Sequence, residues 1–156
     1  MPPLAPSLAV IFAACASPPP PAQLWFFNGT GSSAGTLLLG GVGGIGAAGG
    51  AGGGGAGGRL ASAQQCLAPL ACGVKPGTPL ALDGCGSACA SWTYDTFTFF
   101  TFTSSPSGLL LTSAGSDGSN ATVDTGRSTN QQFGYNPTVM TIAPASDDSL
   151  CLTAQA

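Results

Sequence analysis

Residues 65–93 read QCLAPLACGVKPGTPLALDGCGSACASWT, and most of the structural prediction follows from them. Cys66-Leu67 and the alternating run Leu80-Ala81-Leu82 predict two short strands whose apolar side chains point to one core. Lys75-Pro76-Gly77 predicts the turn between these strands, because proline presets φ and glycine tolerates positive φ. The segment is therefore expected to form a β-hairpin.

Two disulfides and one aromatic ring are expected to fasten this hairpin. Cys66 and Cys85 are placed to join the two strands, and Cys72 is expected to pair with Cys89. Trp92, which closes the segment, supplies a large ring to bury in the core.

The same unit recurs along the chain at a spacing of about 40 residues. Cys66 is followed by Leu110 and then by Cys151, while Trp92 is followed by Phe133. Short strands at a fixed period, each unit closed by an aromatic residue, indicate a repeat architecture.

The recurring pattern of Cys-Leu, apolar alternation, cysteine and Gln-x-aromatic resembles the ricin B-chain type lectin repeat, which builds β-trefoils. The Gln-x-aromatic signature stands as Gln23-Leu24-Trp25 and as Gln131-Gln132-Phe133, and in the hairpin unit as Ala90-Ser91-Trp92. The resemblance implies an all-β, β-trefoil-like fold of the ricin B lectin class.

Three regions are expected. Residues 1–34 are interpreted as the end of one trefoil repeat, or alternatively as a signal-like N-terminus with a cleavage site at Ala14-Cys15-Ala16. Residues 35–58 are so rich in glycine that they predict a disordered linker or insertion. Residues 59–156 hold the remaining repeats, truncated at the C-terminus, so the trefoil is expected to be incomplete at both ends.

A further run, Tyr94 to Thr103, reads YDTFTFFTFT and predicts one strand, because its β-branched and aromatic residues alternate. Its aromatic rings are expected to pack in the core.

Charge excludes several classes of partner. The chain carries three basic residues against six aspartates, with a formal net charge of −3. Nucleic-acid binding requires clustered Lys and Arg to neutralise phosphates, and these are missing. No apolar stretch is long enough to cross a bilayer, so membrane insertion is not expected either.

The six cysteines and the absence of histidine predict disulfides rather than Cys/His zinc sites, so neither a metal site nor a cofactor is expected. Cys15 and Cys151 either pair with each other or have partners beyond the chain ends. Disulfides require an oxidising compartment, and glycosylation sequons at Asn28 and Asn120 favour the same one. The expected location is therefore extracellular, or the lumen of the secretory pathway.

The resemblance also implies a carbohydrate site, with a galactose-type sugar as the expected partner. In the family, an aspartate two places after the leading cysteine and an Asn-Gln pair contact the sugar. Here the aspartate places are Ala68, Thr112 and Thr153, and the Asn-Gln pair stands as Asn130-Gln131. That glutamine is also structural in the family, so a packing role for Gln131 is the alternative.

No catalytic residue is expected in this chain, because a glycosidase needs paired carboxylates and this sequence contains no Glu and no His. The predicted function is a non-catalytic carbohydrate-binding module, accessory to a secreted protein. One alternative is a degenerate structural trefoil without sugar binding. Another is a fragment of a glycoside hydrolase with a covalently linked catalytic domain, because Gly44-Ile45-Gly46-Ala47 and Arg59-Leu60 are loosely similar to a galactocerebrosidase-family motif.

Overall fold

The computed structural model describes residues 8–29, 34–40, 64–96, 101–105, 107–126 and 128–155. Within these ranges the chain is all-β, as predicted, with thirteen strands and four single-turn 3-10 helices. The strands are β1 Val10–Ala14, β2 Trp25–Phe27, β3 Gly35–Leu39, β4 Gln65–Pro69, β5 Thr78–Gly84, β6 Ser91–Asp95, β7 Thr101–Ser104, β8 Leu110–Thr112, β9 Ser119–Asn120, β10 Thr122–Asp124, β11 Phe133–Asn136, β12 Thr141–Pro144 and β13 Leu150–Ala154. The 3-10 helices are Pro21–Gln23, Leu70–Cys72, Ala88–Ala90 and Thr129–Gln131.

The hairpin predicted from residues 65–93 is confirmed. Strands β4 and β5 pair antiparallel with Leu67 opposite Leu82, and both leucines are buried. Gly77 lies in the turn between them with φ +81°, a backbone conformation that glycine adopts without steric cost. Apolar alternation and turn chemistry therefore specify this hairpin locally.

Twelve of the strands form three units of four strands with one shared pairing pattern. In each unit the first strand pairs with the second and the third pairs with the fourth, all antiparallel. Unit 1 is β4, β5, β6 and β7; unit 2 is β8, β10, β11 and β12; unit 3 is β13, β1, β2 and β3. The fourth strand of each unit lies beside the first strand of the next. The ninth strand, β9, lies outside this pattern and pairs with β1.

The aromatic residue at or next to the start of each third strand is buried, and in units 1 and 3 it donates a hydrogen bond to the first strand. The indole N–H of Trp92 donates to the carbonyl of Leu67 at 2.8 Å, and that of Trp25 donates to the carbonyl of Leu152 at 2.8 Å. Both acceptors lie in the first strand of their unit. Phe133 takes the place in unit 2 and packs on Phe12 with ring centroids 5.6 Å apart. In units 1 and 3 the ring therefore ties the first strand to the third, whereas in unit 2 it packs against β1 of unit 3.

The second strands of the three units join one another. Leu80 donates its backbone N–H to the carbonyl of Ala121 at 2.8 Å, and Ala121 donates to the carbonyl of Val10 at 3.0 Å. These residues occupy corresponding positions in β5 and β1, and immediately before β10. The three units consequently enclose one hydrophobic core.

Strands β1 and β13 come from distant parts of the sequence and pair with each other over their whole length. Val10 lies opposite Ala154, and Ala14 lies opposite Leu150. Sequence reasoning placed β1 at the end of one repeat, within residues 1–34, and Cys151-Leu152 in a different repeat. They belong to one unit, whose first strand comes from the opposite end of the sequence.

The prediction of a disordered linker is wrong for the start of the glycine-rich region. The expected linker began at Gly35, whereas Gly35–Leu39 form strand β3, which pairs with β2, β4 and β6. Leu37 and Leu39 are buried, so two apolar side chains at strand spacing outweigh the glycines around them. Residues 41–58 of the predicted linker lie outside the described residues.

The run from Tyr94 to Thr103 forms two strands instead of the single strand predicted. Strands β6 and β7 pair antiparallel with Tyr94 opposite Phe102, and the two rings stack with centroids 4.1 Å apart. The alternating pattern is the same in both strands and no glycine or proline marks the reversal, so periodicity alone does not reveal it. Residues 97–100 lie outside the described part of the chain.

All six cysteines form disulfides in the pairs Cys66–Cys85, Cys72–Cys89 and Cys15–Cys151. The first two are the expected pairs, and the third resolves the alternative left open for Cys15 and Cys151. Cys66–Cys85 and Cys15–Cys151 correspond between units 1 and 3, since each joins the first strand of its unit to the residue after the second.

Removing the Cys15–Cys151 bond should destabilise the protein more than removing Cys72–Cys89. The bonded residues are 136 apart in sequence in the first case and 17 apart in the second. The chain-entropy model then gives losses of about 5 and about 3 kcal/mol in the free energy of unfolding. Urea unfolding of the two double Cys→Ala variants measures both values. An equal or smaller loss for the Cys15/Cys151 variant would contradict the expectation that this bond, which joins β13 to the residue after β1, stabilises the fold more than Cys72–Cys89.

The stability of the protein should also fall at high pH because of Tyr94. Its hydroxyl donates to the carbonyl of Phe133 at 2.8 Å, and burial, assisted by the charge of Asp95, raises the pKa of this phenol above its ordinary value of 10.0. The native state thus favours the neutral phenol, so this stabilisation is complete below the ordinary pKa and is lost as pH rises through the raised one.

Tyr94→Phe should cost about 1 kcal/mol of unfolding free energy near neutral pH, through the lost hydrogen bond. It should also flatten the decline in stability at alkaline pH. Urea unfolding of wild type and variant at about pH 8 and about pH 11 gives the change in unfolding free energy between these pH values for each protein. The two pH values lie either side of a tyrosine pKa. If both proteins lose the same unfolding free energy between the two pH values, the alkaline loss of stability does not come from Tyr94.

Candidate functional site

Gln131, one of the two residues predicted to bind sugar, has its side chain engaged within the protein. It ends the 3-10 helix Thr129–Gln131 and is 2% exposed. Its side-chain oxygen accepts a hydrogen bond from the backbone N–H of Ser128 at 3.1 Å, and its amide group donates to Oγ1 of Thr112 at 3.1 Å and to the carbonyl of Thr125 at 3.2 Å. These contacts hold the segment before β11 onto β8, which supports the packing role.

Gln23 makes the same set of contacts in unit 3. Its side-chain oxygen accepts from the N–H of Ala16 at 3.0 Å, and its amide group donates to the carbonyl of Ala14 at 2.9 Å and to Oγ1 of Thr153 at 3.2 Å. Thr153 and Thr112 are the positions where the resembling family carries its sugar-binding aspartate. In this chain both threonines serve as acceptors for the buried glutamine.

Unit 1 replaces this glutamine–threonine pair with two alanines. Ala90 and Ala68 stand at the corresponding positions, are 0% and 1% exposed, and pack in a small apolar cluster with Cys66. The Cys72–Cys89 disulfide joins the 3-10 helix after β4 to the 3-10 helix that contains Ala90. Removing both hydrogen-bonding partners together leaves no buried polar group unsatisfied, so the exchange carries little cost.

The remaining sequence-predicted positions lie on the surface. Asn130 is exposed, unlike Gln131 beside it, and its role in sugar binding stays a prediction. Asn28 and Asn120 are also exposed; the side-chain oxygen of Asn28 accepts from the N–H of Thr36 at 2.6 Å, and Asn120 belongs to β9. The glycosylation predictions therefore concern residues at the surface of the fold.

A groove of about 430 Å³ lies on the outer face of the β11–β12 hairpin. Its floor consists of Gly134 and Ala143, which are opposite each other in the two strands, and Asn136 and Thr141 form the next pair on the same face of the hairpin. The facing wall is the segment of residues 15–19 after β1, together with Asp148.

The groove exists in unit 2 because its floor residues are small. The corresponding cross-strand pair is Thr93 and Thr103 in unit 1, and Phe26 and Leu38 in unit 3. A Cβ built on Gly134 would meet no atom within 4 Å, so the space above the floor is open. Sequence reasoning missed this site, since the signal is one glycine that stands out only when the three units are aligned strand by strand.

The groove offers hydrogen-bonding groups without positive charge. Its lining includes the polar residues Asp148, Asn136, Thr141 and Ser17, and among the described residues that line it there is no Lys or Arg. In the described part of the chain, no group of three or more metal-ligating side chains is close enough to hold a metal ion. The arrangement is therefore chemically suited to binding a polar molecule that carries no negative charge.

No family model, curated protein or solved structure matches the chain in the comparisons. Among the described residues, no helix has the length and apolar character needed to cross a membrane.

Replacing Gln131 should destabilise the fold far more than replacing its neighbour. Gln131→Ala leaves Thr112 and two backbone groups without their partner, which should cost about 1–3 kcal/mol in the free energy of unfolding. Asn130→Ala, the matched control at an exposed position, should stay within about 0.5 kcal/mol of wild type. Urea unfolding of both variants provides the comparison. Similar stabilities would contradict the role of Gln131 in holding the segment before β11 onto β8.

Proposed function

We propose that this chain is a β-trefoil of the ricin B lectin class that acts as a non-catalytic carbohydrate-binding module of a secreted protein. The observation that carries the proposal is the shared register of the three units. In two of them a buried glutamine precedes an aromatic residue on the third strand and bonds a threonine on the first. This is the Gln-x-aromatic arrangement on which the resemblance rests.

The contacts of several aspartates count against a catalytic role for them, because their carboxylates stabilise turns. Oδ1 of Asp147 accepts from the N–H of Ser149 at 3.0 Å, and Oδ1 of Asp83 and of Asp124 each accept from the N–H of the following residue at 2.7 Å. A glycosidase of the usual kind needs two carboxyl groups facing each other across the scissile bond. Glycosidase activity would then belong to a covalently linked catalytic domain.

Disulfide bonding supports the proposed location. Every cysteine of the chain is paired, and such bonds form and persist in the secretory pathway and outside the cell. The proposed partners are glycans with galactose-type sugars.

A specific observation favours a second candidate, a structural trefoil that binds no sugar. The side chain of Gln131 is turned inward, and the family's aspartate positions hold Ala68, Thr112 and Thr153. The two candidates differ in whether any soluble glycan binds.

Affinity chromatography separates them. The chain, secreted from a eukaryotic host with its disulfides formed, should be retained on lactose-agarose and eluted by free galactose, whereas a non-carbohydrate polyol at equal concentration should not elute it. Passage through the column by protein with three disulfides and a β-rich circular dichroism spectrum would favour the structural trefoil.

A further inference from the structure

We infer that the sugar-binding site is the groove on the outer face of β11–β12, and that its ligand is a neutral saccharide. The inference rests on the proposed carbohydrate-binding function and assigns it to a place that the family resemblance does not indicate. The resemblance points to Asn130-Gln131, whereas the groove lies between the hairpin of unit 2 and the loop after β1 in unit 3.

The size of the groove suits a small ligand. Its volume of about 430 Å³ falls within the range of about 300–1,000 Å³ for small-molecule sites. In unit 3 the corresponding surface carries Phe26, which is 42% exposed, and Leu38 beside it. Unit 2 has Gly134 and Ala143 there instead, so this is the unit in which a sugar ring can approach the backbone of the sheet.

The lining combines the two kinds of surface that a sugar presents. The floor of Gly134 and Ala143, with Pro19 on the wall, offers apolar contact for the C–H face of a pyranose ring. The carboxylate of Asp148 accepts hydrogen bonds from sugar hydroxyls, and the side-chain NH2 of Asn136 supplies donors. A few polar groups around an apolar floor are typical of ligand sites that fix orientation.

Charge restricts the ligand to neutral sugars. Among the described residues that line the groove, Asp148 is the one acidic side chain and none is basic. A carboxylated or sulfated sugar would bring its negative charge close to Asp148 with no positive group to offset the repulsion. A neutral saccharide meets no such penalty.

The walls of the groove are held in place by the fold before any ligand arrives. The Cys15–Cys151 disulfide anchors the loop after β1, and the N–H of Ala16 in that loop donates to Gln23 at 3.0 Å. On the other side, Oδ1 of Asn136 accepts from the N–H groups of Thr138 and Val139 at 3.0 and 3.3 Å. Preorganised walls lower the entropy cost of binding.

Filling the floor tests the inference directly. In Gly134→Leu the new side chain occupies the groove, while the fold should persist because a Cβ at this position meets no atom. The matched control is Thr93→Leu, at the corresponding position of unit 1. Isothermal titration with lactose should show a loss of affinity of at least about tenfold for Gly134→Leu, equivalent to about 1.4 kcal/mol. Thr93→Leu should bind within about twofold of wild type, a change of well under 1 kcal/mol.

A second variant guards against a folding defect in the first. Asp148→Ala changes an exposed residue of the wall and should also weaken lactose binding. Circular dichroism and thermal melting establish that each variant is folded. Sialyllactose, which adds a sialic acid residue with one carboxylate to the same disaccharide, should bind more weakly than lactose to the wild type.

The outcomes separate the groove from the broader function. If lactose binding persists in Gly134→Leu and Asp148→Ala but is lost in Asn130→Ala, the assignment of the sugar site to the groove is overturned. The proposed carbohydrate-binding function then stands. Tighter binding of sialyllactose than of lactose overturns the neutral ligand class. If the folded wild type binds no saccharide in a panel of neutral galactosides, glucosides and N-acetylglucosaminides, both the groove and the proposed function fail.

Discussion

The pairing of β1 with β13 is the contact on which the rest of the structure depends. It joins segments from opposite ends of the sequence and completes unit 3, so that Trp25 finds its acceptor at Leu152 and Gln23 finds Thr153. Without it, both strands would expose unpaired backbone groups at a sheet edge, which is unfavourable and promotes aggregation. Both the hydrophobic core and the wall of the groove are therefore consequences of this one closure.

The three units show two physical solutions to the same connection. Units 2 and 3 fasten the segment before the third strand with a buried glutamine bonded to a threonine, while unit 1 uses two alanines and a disulfide. The hydrogen-bonded solution requires every partner to be present, because a buried amide left unpaired is costly. The apolar solution avoids that requirement. In unit 3 the glutamine has a second effect, since it also positions the loop that faces the groove.

Local patterns in the sequence were sufficient to predict part of this structure. The β4–β5 hairpin and two disulfides follow from apolar alternation, a Pro-Gly turn and cysteine placement, all of which act within about 30 residues. The pairing of β13 with β1 joins residues far apart in sequence, so no local pattern predicts it. Strand β3 was not predicted, because the glycines that surround Leu37 and Leu39 in the sequence are typical of a linker. The groove was missed because it is created by the small size of Gly134, not by any motif.

The closure can be tested by mapping disulfides after tryptic digestion under non-reducing conditions. Trypsin cleaves after Arg59 and Arg127 but not before Pro76, so it should yield residues 1–59, 60–127 and 128–156. We predict that residues 1–59 and 128–156 remain joined through Cys15–Cys151 until reduction, and that residues 60–127 are released with their two disulfides internal. A disulfide linking residues 60–127 to either of the other peptides would contradict the closed arrangement of the three units.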